Sequence, residues 1–230
     1  MKKKLLLFGN KRINGVDKEM IDIINSFDVI MRINKMDNVS ETGERVDWWW
    51  FDYCIFKDIK EFHFKKYLSN LSKVMMNWKS ICQLTKWVSD FELKLFKKNI
   101  NHEGESKIKR LKLFFPELPD SCIMVENKNY SHYFLCERNK YWDIDEDNKT
   151  VPTTFVIALS HLINECSDEY DIYITCTDLE GRGELFKTNP IWSESWHRNV
   201  GQYEEDYIKL MIKEGKIKYL NIDDKNIHNS

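Results

Sequence analysis

The chain has 230 residues, enough for a sizeable core in one large or two small domains. Its 35 Lys+Arg and 37 Asp+Glu leave a net charge of -2, so no global field recruits nucleic acid or an anionic membrane, and any anion site must be local. Hydrophobic residues at 42% and charged residues at 31% are the proportions of an ordinary globular protein, which excludes disordered and membrane-embedded classes.

Leu5-Leu6-Leu7-Phe8 ends at Gly9-Asn10-Lys11-Arg12, too soon for a signal-peptide core or a membrane span, and suits a first strand. Gly9 to Gly15 reads as a turn, and Asp17 to Asn25 as a helix bearing Met20, Ile21, Ile23 and Ile24. A second strand, Asp28 to Ile33, follows at once, so the opening reads as a βαβ unit with two parallel strands. Arg45 to Phe56 predicts another strand. Its three adjacent tryptophans, Trp48, Trp49 and Trp50, fit a strand buried on both faces better than a binding platform.

From Ile59 to Phe115 the pattern predicts a short strand, Ser72 to Met76, among helices. Lys107 to Lys112 is the one basic cluster, either a solvated face or a patch for an anionic acceptor or membrane surface. An inserted or lid segment is expected around residues 100–150 of an otherwise single domain spanning 1–230. The cysteines Cys54, Cys82, Cys122, Cys136, Cys166 and Cys176 show no C-x-x-C spacing and read as reduced thiols of a cytoplasmic protein.

The last third has clearer punctuation. Pro152 and Thr153 open a helix with Phe155, Leu159, Leu162 and Cys166 on one face. A strand from Tyr170 ends in Asp178. A further helix carries Tyr203, Tyr207, Leu210 and Met211, stops at Gly215, and leads to a final strand with Ile217 and Tyr219. Alternating helices and strands predict an α/β, Rossmann-like, mostly parallel sheet with helices on both faces.

Polar residues fall beyond strand ends or at helix starts: Gly9-Asn10, Arg32 with Asn34, Thr153-Thr154, and Asp178. Ligands of open α/β sheets collect at such places, and a helix start with two hydroxyls suits an anion. The first turn lacks G-x-G-x-x-G and G-x-x-x-x-G-K-[ST], which argues against a dinucleotide dehydrogenase or P-loop enzyme. His197, in a polar turn before Glu204, is suited to proton transfer near neutral pH.

Three segments together resemble the sialyltransferase superfamily, whose members are metal-independent, inverting enzymes that use CMP-activated sugars. "LLLFGN…FDVIMRINKMDN…TGERVDWWW" resembles the long motif, "VPTTFVIALSHLINECSDEYDIYITCTDLE" the small motif, and "HRNVGQYEEDYIKLMIKEGKI" the closing motif. The resemblance implies a sialyltransferase-type variant of the glycosyltransferase fold, with Gly9, Asn10, Asn34 and Asp178 about the donor nucleotide. It also implies that Thr153 and Thr154 face the donor's phosphate or carboxylate, that His197 is the general base, and that Glu204 supports the last helix or its contacts. Arg32 either supports the crevice or pairs with a carboxylate beneath it. Phe155 and Cys176 stand where the family commonly has glycines, and His197 and Glu204 are two residues further apart than usual.

The implied donor is a CMP-sugar, the acceptor a glycan or glycolipid hydroxyl, with no cofactor, metal or nucleic acid. Two other readings stand beside it. Asp143-x-Asp145 has the spacing of a metal site in a UDP-sugar glycosyltransferase, although its neighbours also read as a solvated acidic loop. A nucleotide- or glycan-binding module without transfer chemistry would suit the Phe155 and Cys176 replacements. The expected location is cytoplasmic, with a peripheral membrane contact left open by the basic cluster.

Overall fold

The computed structural model describes residues 1–11, 13, 15–51, 63–77, 111–112, 115–127, 152–180 and 201–222. Strand β1 (Lys3–Phe8) leads through α1 (Lys18–Asn25) to β2 (Val29–Ile33), and a short helix, α2 (Val39–Thr42), precedes β3 (Trp48–Phe51). A 3-10 helix (His63–Asn70) comes before β4 (Lys73–Asn77), and β5 (Ile123–Asn127) follows. Helix α3 (Thr154–Glu165), β6 (Tyr170–Thr175), α4 (Gly201–Lys213) and β7 (Ile217–Tyr219) complete the described elements.

The seven strands form one sheet in the order β5-β4-β3-β2-β1-β6-β7, and every pair is parallel. The fold is therefore α/β and Rossmann-like, as the alternation of helices and strands predicts. β1 is interior, with Leu5 opposite Val29 on β2 and Ile172 on β6. The chain winds from β1 towards β5, then returns to add β6 and β7 on the other side. The order reverses between β1 and β6, the place where open α/β sheets leave a crevice beyond their carboxyl ends.

Both faces of the sheet are covered, so strand residues of either parity are apolar. Leu5, Leu7, Met31, Trp48, Trp50 and Met75 pack with α3 and α4 through Leu159, Leu162, Tyr207 and Met211. On the opposite face Leu6, Phe8 and Ile30 meet Ile24 of α1, while Trp49, Phe51 and Val74 meet Val39 of α2 and Leu68. Trp49 and Trp50 are fully buried and Trp48 nearly so, which makes the triplet core. A fully buried indole removes roughly 200 Å² from water, worth about 5 kcal/mol at 25 cal/mol per Å², a gain that an exposed ligand platform would forgo.

The helix punctuation holds. Asp17 caps α1, its Oδ1 accepting from Met20 N at 2.9 Å. Gly215 ends α4 at φ 69°, a left-handed conformation that glycine adopts without strain. Two elements were not expected: α2, and β5, which lies inside the range read as an inserted segment and is an edge strand of the same sheet. Among the described residues no helix is long and apolar enough to cross a membrane.

Candidate functional site

The carboxyl ends of β1 and β6 are joined at the reversal point by backbone. Gly9 N donates to Thr175 O at 2.9 Å and Lys11 N to Cys176 O at 3.0 Å. The approach leaves no room for a side chain: a Cβ on Gly9 would lie 2.2 Å from Cys176 O. Cys176 itself has φ 50°, the region that glycine occupies most readily, so this cysteine takes a glycine-like conformation where the resemblance puts a glycine.

Between these two bonds Asn10 projects from the loop. Its Oδ1 is buried and has no hydrogen-bond partner among the described residues. Lys11 reaches across to Asp178, with Nζ 3.3 Å from Oδ1. Asp178 thus lies at the reversal point, neutralised in part by a cation that sequence reasoning had not singled out. With both side chains about a third exposed, the pair adds at most about 1 kcal/mol to stability.

Arg32 lies under this loop on the face packed by α1 and α2. It is 1% exposed and has its guanidinium carbon 4.1 Å from the Phe8 ring centroid. Nε donates to Arg45 O (3.2 Å), Nη1 to Thr42 Oγ1 (2.8 Å) and Asn38 Oδ1 (3.2 Å), and Nη2 to Gly43 O (2.7 Å). These acceptors are uncharged, which corrects the alternative of a carboxylate beneath the site. Among the described residues this buried cation is paired with neutral dipoles, which compensate it poorly, and burial draws its pKa down to about 10. Asn38, also 1% exposed, passes the support on: Nδ2 donates to Gly9 O at 2.8 Å and to Lys11 O at 3.0 Å.

The other charged residues of the long-motif resemblance brace the opposite, amino edge of the sheet. Asp28 Oδ2 accepts from Lys4 N, and Asp47 Oδ2 accepts from Ile30 N, both at 2.7 Å. Arg45 Nη1 donates to Asn25 O and Phe27 O at 2.8 Å, and its Nη2 lies 2.9 Å from Asp47 Oδ2. These residues set strand register rather than line the crevice.

Asn34 is one residue past β2, in the left-handed region at φ 45°. Asparagine tolerates this better than most residues. Its N–H donates to Trp50 O at 2.8 Å, and its carbonyl accepts from Trp49 Nε1 at 2.8 Å. Because Phe8 is opposite Arg32 in the register, Asn10 and Asn34 both lie two positions beyond that pair on adjacent strand ends.

Helix α3 runs against the strands. The turn that follows it meets the amino end of β1, where Lys3 N donates to Glu169 O at 3.1 Å, so the N-terminus of the helix faces the carboxyl edge. There Glu204 of α4, fully buried, accepts from Thr153 N at 2.5 Å and Thr153 Oγ1 at 3.0 Å. The N-cap residue of α3 is thus held by an internal carboxylate, favourably placed at the positive end of the helix dipole. Glu204 joins the starts of the two helices. Thr154, the first residue of α3, is half-buried, and Phe155 points into the apolar cluster.

Gly9, Asn10, Asn34 and Asp178 are therefore gathered along adjacent strand ends, and Thr153 is bound to Glu204 on the helix layer. His197, Asp143 and Asp145 lie outside the described residues. Asn38 and Lys11 are the additions. Asn38 had a faint sequence signal: an arginine inside an apolar strand needs nearby acceptors, and the polar run after Asn34 supplies them. No protein-family profile matches the chain, and no curated protein matches it in sequence.

Proposed function

We propose that the chain is an inverting, metal-independent glycosyltransferase that moves sialic acid or a related acidic sugar from a CMP donor to an acceptor glycan hydroxyl. The observation that carries the reading is Asn10 Oδ1, a buried acceptor at the reversal point of a parallel sheet that has no partner among the described residues. A buried unsatisfied polar atom costs about 1–3 kcal/mol, which a ligand hydroxyl or amino group would recover on binding. Asn34 on the neighbouring strand end offers a second amide, and Asp178 with Lys11 a charged pair beside them.

In the reaction the acceptor oxygen forms a bond to the anomeric carbon as the bond from that carbon to the CMP phosphate oxygen breaks. His197 takes the acceptor's proton, a contribution worth about a hundred- to ten-thousandfold. Preorganised donors of the protein stabilise the leaving phosphate. The motif resemblance and the Rossmann-like sheet support this assignment together.

The test is transfer from CMP-sialic acid to an acceptor glycan in excess EDTA, with released CMP and product detected by mass. Transfer should persist, and His197→Ala should lower it by about a hundredfold or more while CMP still binds. Abolition by EDTA with rescue by manganese would move the chemistry to Asp143 and Asp145. CMP binding without transfer to any acceptor would leave a binding module, and no binding of any CMP-sugar would refute the reading.

A further inference from the structure

We infer that Asn38 is a positioning residue for the donor crevice, an assignment that rests on the function proposed above. Its single amide holds the two carbonyls on either side of Asn10, those of Gly9 and Lys11, at 2.8 and 3.0 Å. From the other side the N–H groups of the same two residues are held by Thr175 O and Cys176 O. Gly9 and Lys11 are thus clamped on both sides while Asn10 Oδ1 has no partner among the described residues.

The orientation of the Asn38 amide is itself fixed. Oδ1 accepts from Arg32 Nη1 at 3.2 Å, which commits Nδ2 to the two carbonyls. The Asn38 carbonyl accepts from Thr42 Oγ1 at 2.7 Å, and Thr42 in turn accepts from Arg32 Nη1. A buried arginine without a carboxylate partner is an unfavourable way to fill a core. Here it fixes which end of an asparagine faces the loop. Contacts of this kind hold a binding group within a fraction of an ångström of its productive place.

Two substitutions separate positioning from plain stabilisation. Asn38→Ala removes both donors and the acceptor. Asn38→Asp keeps an acceptor for Arg32, and adds charge to that contact, but turns an oxygen towards two carbonyls. Each variant is studied at a temperature where circular dichroism shows it folded, by calorimetric titration with CMP and by amide hydrogen exchange. Both should bind CMP about tenfold or more weakly than the parent, with faster exchange at Gly9 and Lys11 and unchanged protection at Leu5 to Phe8. Should Asn38→Ala fail to fold, Asn38→Asp decides alone. CMP affinity within twofold of the parent in the folded variants would overturn the assignment. If the parent itself does not bind CMP, the functional reading falls, and the exchange data judge Asn38 separately: unchanged protection at Gly9 and Lys11 removes its positioning role.

Discussion

Acidification should weaken this fold through His161, near the middle of α3. The residue is 8% exposed, and its ring centroid is 5.2 Å from that of Trp50. Burial, reinforced by Lys73 and opposed by Glu165, lowers its pKa from 6.5 to about 4. The unfolded chain therefore takes up a proton near pH 6.5 that the native state refuses until about pH 4, so stability is full above the higher value and falls as pH decreases between the two. The whole window corresponds to about 3 kcal/mol, of which about 2 kcal/mol should be lost on going from about pH 7.5 to about pH 5. Urea unfolding of the parent and of His161→Gln at both pH values isolates this component, since the other titrating groups are common to the two. The parent should lose about 2 kcal/mol more than the variant. Equal losses would show that the imidazole is not held neutral by the core, and would refute the reasoning.

Two further substitutions probe the crevice. Gly9→Ala sets a methyl against Cys176 O, a backbone atom that cannot swing away, and should cost about 3 kcal/mol or more, whereas Gly15→Ala, with nothing within 4 Å, should stay within about 0.5 kcal/mol. Similar melting temperatures for the two would contradict the close approach of the β1 and β6 ends. Glu204→Gln keeps the shape but loses the charge facing Thr153 and the start of α3, and a loss of about 2 kcal/mol is expected from chemical denaturation. A change below about 0.5 kcal/mol would mean that the carboxylate does not hold the helix start.

The parts of the fold that could be read in advance are those where local pattern and tertiary role agree. Leu5 to Phe8, Val29 to Ile33 and the tryptophan triplet are apolar on both parities because helices cover both faces, and Asp17 and Gly215 mark helix ends through local chemistry alone. β5 was not legible: "IMVEN" is a short edge strand whose Ile123 is 61% exposed, so it lacks the apolar continuity of the interior strands. α2 has only four residues, fewer than any helical period can reveal. The site divides in the same way. Asn10, Asn34 and Asp178 could be nominated because they follow strands, but the bond from Thr153 to Glu204 spans 51 positions, and the clamp of Asn38 on Gly9 spans 29. The left-handed turn at Cys176 was illegible for another reason, since cysteine gives no hint of such a conformation.

The central place of β1 also sets the order in which the molecule can assemble. Its pairing with β2 closes a loop of about 24 residues, and the contacts between its start and the approach to β6 close one of 166. In an ideal chain the longer closure costs about 1.7 kcal/mol more entropy, so the edge towards β2 should form first and the edge towards β6 should wait for the C-terminal third. The bonds from Gly9 to Thr175 and from Lys11 to Cys176 belong to that second edge. During synthesis, the loop bearing Asn10 would leave the ribosome early and remain without half of its support until β6 has emerged. The crevice is thus a late product of folding, and an N-terminal fragment ending before β6 would carry Asn10, Asn34 and Asn38 without the opposite wall.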